Sequence, residues 1–262
     1  MPRVAPAKKV RLEGQHPTTL AMLTATRGIV LHKTKYSDTS LIVKIFTEDF
    51  GLQSYLVQGS RSKKSKARAT LFQPLALLEL EVAHREKSDL QRIRDLRPFH
   101  PYTSIPYDMV KSTTVLFINE LLYKSLKAEA ADGELFEFVV GALQWFDLCT
   151  DTVPDFHLLF LVRLSRYLGF YPQGNYTQQN TFFDLAEGSF RSTQPLTSLF
   201  LEGAESAYLW RLLGTKFEGL SALRLPPQMR RKLLHALVDY YRVHIAGLAE
   251  IKSHQVLEAI VG

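Results

Sequence analysis

Arg61, Lys63, Lys64, Lys66 and Arg68 place five cations within eight positions, and no acid lies between Asp49 and Glu79. Cations at this density, with Ser60, Ser62 and Ser65 among them, can neutralise a row of phosphates and donate to their oxygens. A short charge run is most often a solvated loop. Two features favour phosphate binding here. The run joins two expected strands of a small barrel, and loops of small barrels often carry nucleic-acid contacts. Arg27, Lys33, Lys35 and Lys44 add charge on the first two strands. Tyr36, Phe46, Tyr55 and Phe72 offer stacking faces, although barrel aromatics more often fill the core. No base-reading motif is visible, so binding is expected to be backbone-driven, sequence-tolerant and salt-sensitive.

A second set of cations lies in the other half of the chain. Arg230-Arg231-Lys232 opens a helix that follows Pro226-Pro227. Cations at a helix start oppose the macrodipole by about 0.3–1 kcal/mol each when exposed, which a protein tolerates easily. Their functional reading is a docking point for an acidic peptide. Arg163 and Arg166, on a very apolar helix, compete for that role, since a cation beside an apolar groove suits an acidic, hydrophobic-ended peptide.

Catalytic patterns are missing by contrast. There is no Gly-rich phosphate loop, no Gly-x-Ser-x-Gly elbow and no His-Glu-x-x-His. The single cysteine, Cys149, excludes an internal disulfide and a four-ligand Cys/His zinc site built on it. It is expected to be a buried, inert thiol. The chain is therefore read as a non-enzyme with neither metal nor cofactor. One cysteine suits a reducing cytoplasm. No apolar run approaches the ~20 residues that span a bilayer. Met1–Ala21 lacks the apolar region of a secretory signal.

The elements that position these residues follow from periodicity. Thr26–Leu31, Leu41–Phe46, Leu52–Val57, Leu75–Val82 and Leu90–Leu96 read as five short strands, the second and third joined by a tight turn ending at Gly51. An OB-type barrel is the economical choice, and an SH3-like barrel shares the same spacing. Pro98, Pro101 and Pro106 mark a boundary. Helical periodicity follows at 110–130, 135–148, 156–170, 207–213, 229–245 and 251–261, with a small hairpin near 181–191. The expected class is α+β: residues 1–21 a disordered extension, 22–100 a five-stranded OB-type barrel that binds DNA, and 101–262 a mostly α-helical domain. Charge divides the same way. The chain carries +6, but residues 1–90 hold +7 and the rest −1. One part is thus expected to meet a polyanion and the other is not.

Gly28-Ile29-Val30-Leu31, Tyr36-Ser37-Asp38-x-Ser40-Leu41-Ile42-Val43, Phe46-Thr47, Gly51 and Gly59-x-Arg61-x-x-Lys64-Ser65 resemble the N-terminal domain of the RecO family of bacterial recombination mediators. Pro74-Leu75-x-Leu77-Leu78-Glu79 continues the match. Phe117-x-x-Glu120-Leu121-Leu122, Leu135-Phe136 and Leu168-Gly169-Phe170-x-Pro172 agree in outline with its helical domain. The resemblance spans Met22 to the C-terminus and is most specific in its first hundred residues. It implies an OB-fold, binding of single- and double-stranded DNA, annealing of complementary strands, and help in loading the RecA recombinase. It also implies two partners, RecR and the acidic C-terminal tail of single-stranded DNA-binding protein, and a cytoplasmic, nucleoid-associated location. Some members carry a four-cysteine zinc site after the Leu-Gly-Phe-x-Pro element. Gln173–Asn180 and Leu185–Thr193 contain no cysteine, so no zinc is expected. The alternative is a protein-interaction module whose basic loop meets an acidic protein instead of DNA.

Overall fold

The computed structural model describes residues 22–58, 69–85, 88–126 and 130–261. The chain divides into two compact units, one running to Pro101 and including Leu126–Phe136, the other formed by Tyr102–Ser125 and the chain from Glu137 onward.

The first unit is a closed barrel of β1 (Met22–Ser37), β2 (Ser40–Thr47), β3 (Gly51–Gln58), β4 (Leu77–His84) and β5 (Gln91–Pro98). Their order around the barrel is β1-β2-β3-β5-β4, antiparallel throughout except for a parallel β3–β5 contact. This is the OB-type arrangement, and closure leaves the barrel without a free edge. Alternate residues point inward. Val30, Val43, Ile45, Tyr55, Leu78, Leu80, Val82 and Leu96 form the core, together with Phe72 from the segment between β3 and β4. Gly28 also faces inward. A Cβ there would lie 2.6 Å from Ile45 Cγ2 and 2.9 Å from Leu80 Cδ1, so the interior has no room for a larger residue.

β1 is much longer than the six residues that alternation suggests. Residues 22–29 pair with β4 and residues 28–37 with β2, with an irregularity between Val30 and His32. Its second half is exposed and polar, so no hydrophobic alternation marks it. Pairing with β2 alone keeps it extended.

The second unit contains α1 (Met109–Ser125), α2 (Gly133–Leu148, from Glu137), α3 (Phe156–Tyr167), α4 (Gly203–Gly214), a 3-10 turn at Phe217–Ala222, α5 (Pro227–His244) and α6 (Ser253–Val261). A three-stranded sheet, β6 (Phe182–Asp184), β7 (Ser189–Arg191) and β8 (Phe200–Leu201), has the order β7-β6-β8. The hairpin β6–β7 was expected; β8, two residues long, carries no periodic signal. α3 is central and packs on α4 and α5. It stops at Tyr167 rather than Phe170. Gly169 takes φ 86°, Phe170 N–H donates to Ser165 O and Gly169 N–H to Arg166 O, the reciprocal bonds of a Schellman cap. Cys149 lies just beyond α2 and is half-buried, its thiol 3.8 Å from Asp151 O, so it is less enclosed than its apolar neighbours suggested.

Two carboxylates fasten the helices. Asp147 accepts from the N–H groups of Thr103, Ser104 and Ile105, at 2.9–3.1 Å. Lys111 Nζ donates 2.7 Å to Cys149 O and reaches Asp147 O, covering the carbonyl end of α2. Glu120 on α1 accepts from Lys252 N–H and Ser253 N–H, capping α6. Burial would raise both carboxyls, but these donors, with Lys124 beside Glu120, bring each down to about 2. A depressed carboxyl contributes stability that is complete above its ordinary value near 4 and vanishes as pH falls to the folded value. The urea midpoint is therefore expected to drop between about pH 4 and pH 2, and Asp147→Asn should flatten that drop while lowering the midpoint at pH 7. An unchanged pH profile in the variant would remove Asp147 from this role.

Candidate nucleic-acid interface

Arg61, Lys63, Lys64, Lys66 and Arg68 lie outside the described residues. The described chain leaves β3 at Gln58, which pairs with Ser40, and Ser40 pairs with Ser37 across the β1–β2 turn. Gln58 thus lies at the end of the barrel that carries this hairpin tip.

The strand cations separate into two groups with different surroundings. Lys44 stands opposite His32 on one side and Ser54 on the other. Alternation puts these three on the outer face with Thr34, Ile42 and Leu56. Lys33 and Lys35 pair with Val43 and Leu41, so they fall on the other side of the ribbon, but at the projecting end of the hairpin both are exposed. Lys35 makes a 2.9 Å pair with Asp38, fully in solvent and easily exchanged for a phosphate.

Arg27 is engaged differently. Its guanidinium forms a two-pronged pair with Glu48 at 2.7 and 2.8 Å and lies over the rings of Phe99 and Phe136 at 5.8 and 5.3 Å. The hydrogen bonds from Arg27 hold the Glu48 carboxyl below its ordinary value. The structure places Arg27 in a structural ion pair on another wall of the barrel, away from the Lys44 face. Of the four aromatic stacking candidates, Phe46, Tyr55 and Phe72 are core, while Tyr36 is 63% exposed at the hairpin end.

Arg92 and Arg94 on β5 escaped the reading from sequence. β5 runs parallel to β3 and sets Arg92 beside Leu56, which completes a cross-strand row of Thr34, Ile42, Leu56 and Arg92. Arg94 follows at the bulged position, also exposed. The signal was present as two arginines flanking Ile93 in an expected strand. Nothing local says that this strand lies next to β3. The resulting face has a half-buried apolar strip, Ile42, Leu52 and Leu56, bordered by Lys44 and Arg92. An apolar strip takes up sugar and base surface, and the bordering cations reach phosphates.

In the helical unit the five candidate cations have distinct fates. Arg230 is buried: Nε pairs with Asp155 Oδ1 at 2.5 Å, and its other nitrogens donate to Leu225 O and Val261 O. Its place at the start of an exposed-looking helix gave no hint of this, because Asp155 and Val261 are far away in sequence. Arg163 is half-buried and donates to Leu213 O, Thr215 O and the Tyr171 hydroxyl, which caps the end of α4. Arg166 is exposed in the last turn of α3. Arg231 pairs with Glu258 and Lys232 with Glu205, both on the surface. These two line a hollow of about 360 Å³ with Leu185, Leu199, Phe200 and Ala236, beside strand β8. Of these five, Arg166, Arg231 and Lys232 are exposed.

After α3, residues 173–180 and 185–193 contain no cysteine. Asn175 donates to Phe190 O and accepts from Phe190 N–H, both at 2.9 Å, and Tyr176 and Trp210 stack beside it. Among the described residues no group of His, Cys, Asp and Glu is arranged for a metal ion, and no helix is long and apolar enough to cross a membrane.

Comparison with known proteins addresses both units. A family model described as the recombination protein O N-terminal region matches residues 22–102, and one described as its C-terminal region matches residues 106–254. A protein of Phocaeicola vulgatus named DNA repair protein RecO is 38% identical over 91% of this chain and 99% of its own length. A Bacteroides fragilis protein of the same name is 39% identical over 91% and 99%. One from Flavobacterium psychrophilum is 38% identical over 90% and 98%.

Proposed function

Because the chain belongs to the recombination protein O (RecO) family of DNA repair proteins, we propose that it acts as a recombination mediator that binds single- and double-stranded DNA and anneals complementary strands. It works without catalysis or cofactor, in the cytoplasm, and helps load the RecA recombinase onto DNA coated by single-stranded DNA-binding protein, with RecR as a partner. The observation that carries the reading is the outer face formed by β1, β2, β3 and the start of β5. There Lys44 and Arg92 border an apolar strip, and the described part of β3 ends at the adjoining hairpin end with Gln58, which in sequence precedes the strongly basic segment. Cations from the face and the segment neutralise phosphates of two strands together. Screening their repulsion lowers the barrier to pairing.

Filter binding of a short single-stranded oligonucleotide over a salt series tests this directly. The expected result is affinity that falls linearly with log salt, by about 0.7 per phosphate contact. Absence of salt-dependent binding would favour the second reading, in which the basic segment meets an acidic protein.

The helical unit is the proposed dock for the acidic tail of single-stranded DNA-binding protein. Of the five candidate cations Arg166, Arg231 and Lys232 are exposed, and the apolar lining beside Arg231 and Lys232 suits a hydrophobic chain end. Calorimetry with an acidic, Phe-ended peptide should show about tenfold weaker binding for Arg231→Ala/Lys232→Ala, a change of about 1.4 kcal/mol. Full affinity there, with loss in Arg166→Ala, would move the dock to the end of α3.

A further inference from the structure

The outer surface of the barrel carries two opposite charge fields. On the wall made by β4, the first half of β1 and the later part of β5, register sets Ala25 opposite Glu81 and Glu81 opposite Asp95. The next outward row sets Arg27 opposite Glu79 and Glu79 opposite Arg97. Glu48 and Asp49 from the β2–β3 turn border the same hollow, of about 340 Å³. Five carboxylates therefore meet two arginines on this wall. Both arginines are engaged, Arg27 with Glu48 and Arg97 with Glu79.

The Glu81–Asp95 arrangement is informative in itself. Like charges directly opposite each other across two strands destabilise a sheet. Glu81 and Asp95 each add negative charge to this wall. Both are exposed. On the β1–β2 hairpin and at the start of β5, Lys33, Lys35, Arg92 and Arg94 are exposed and Lys44 is half-buried; Asp38 pairs with Lys35, and Asp95 directly follows Arg94 where the two fields meet. The Debye length is about 8 Å at physiological salt, so each wall acts on a phosphate only at close range and neither cancels the other through the barrel.

We infer that the acidic wall confines a bound nucleic-acid strand to the β1-β2-β3 face and the start of β5, and prevents it from wrapping the barrel. This rests on the reading of the barrel as a nucleic-acid binder. A phosphate backbone that follows β5 from Arg92 and Arg94 toward its end meets Asp95 and Glu81 within one turn of contacts and is turned away. The strand is held along one side, and its other side stays open to a complementary strand.

The test uses the full chain and fluorescent oligothymidylates of graded length. Glu81→Lys/Asp95→Lys extends the cationic track, and Glu81→Gln/Asp95→Asn only removes the repulsion. The Lys pair is expected to bind severalfold tighter, to steepen the salt slope by about 1.4 for two new contacts, and to lengthen the occluded site by about two nucleotides. The neutral pair should tighten binding with little change in slope, and it serves alone if the Lys pair fails to fold. Wild-type affinity and site length in the neutral pair, or wild-type slope and site length in a folded Lys pair, would overturn the inference. Lys44→Ala/Arg92→Ala separates the two levels. If it weakens binding while the acid variants do nothing, the face stands and the confinement falls. If it leaves binding intact, the face itself is wrong and the confinement falls with it.

Discussion

Replacing Arg61, Lys63, Lys64, Lys66 and Arg68 together by Ala should weaken single-stranded DNA binding by about a hundredfold near 0.1 M salt and reduce the salt slope by up to about 3.5. The size of the effect comes from the number of charges. Each cation that leaves a phosphate restores one condensed counterion and removes about 0.7 from the slope. No acid between Asp49 and Glu79 in the sequence offsets the run, so its local charge is +5. The same positions changed to the other cation, Arg to Lys and Lys to Arg, should keep the slope, because the contact is with backbone phosphate and not with a base edge. Annealing of complementary oligonucleotides should slow in parallel with lost binding. Unchanged affinity and slope in the Ala variant would reject the segment as the DNA contact and leave the barrel face to carry binding alone.

The second large effect is on folding. Asp155→Ala is expected to destabilise the helical unit by about 3–5 kcal/mol, the usual cost of removing one partner of a buried ion pair. Arg230 and Asp155 are both nearly inaccessible, and the pair does more than balance charge. Asp155 also accepts Leu225 N–H, while Arg230 donates to Leu225 O and to Val261 O. One pair thereby joins the start of α3, the entry to α5 and the last turn of α6. His157, buried on the first turn of α3, is kept neutral by that burial and by the nearby Arg230, with its pKa lowered to about 3, and an imidazole in either protonation state cannot balance a guanidinium. The Ala variant therefore leaves a guanidinium uncompensated in the interior. A urea midpoint followed by circular dichroism measures the loss. Asp155→Leu/Arg230→Met should recover much of it, because an apolar pair of similar volume avoids the desolvation that the charges carry. A loss below about 1 kcal/mol in Asp155→Ala would be the behaviour of a surface pair and would contradict this account.

Arg230 and Arg231 show how far the sequence reaches. They are neighbours in one basic triplet and look equivalent. On α5 they point about 100° apart, a direct result of 3.6 residues per turn. One enters the interior and the other pairs with Glu258 at the surface. Periodicity alone gives the angle between them but not which direction is inward, since the triplet interrupts the apolar pattern. The partner that makes burial possible, Asp155, lies on a different element. Arg27 is a similar case: a basic residue on a strand, engaged by a glutamate in the distant β2–β3 turn. Arg163 is another, its donors taken up by carbonyls at the end of α4.

The fold class was legible for the opposite reason. Leu41, Val43 and Ile45 alternate with less buried neighbours, Gly51 closes the turn with φ 65°, and Val30, Leu78, Leu80 and Val82 repeat the two-residue period. These are local signals, and they mark strands wherever the partner strand lies. The central helix α3 declared itself in the same way, by apolar residues on all sides. The density of cations between Gly59 and Thr70 is equally local, and the sequence by itself determined that this third of the chain is the basic one.

Only the tertiary structure decided which cations share a face of the barrel. Alternation assigns side chains to two faces of a strand, but it leaves open which strand is next to it, and a one-residue slip exchanges the faces. The parallel β3–β5 contact brings Arg92 to Leu56 and so to the Lys44 face, across more than thirty residues of chain. The antiparallel β4–β5 contact brings Asp95 to Glu81 and makes the other wall acidic. Both outcomes depend on non-local pairing. The charge imbalance is thus a property of the sequence, and its division into a basic wall and an acidic wall is a property of the closed barrel.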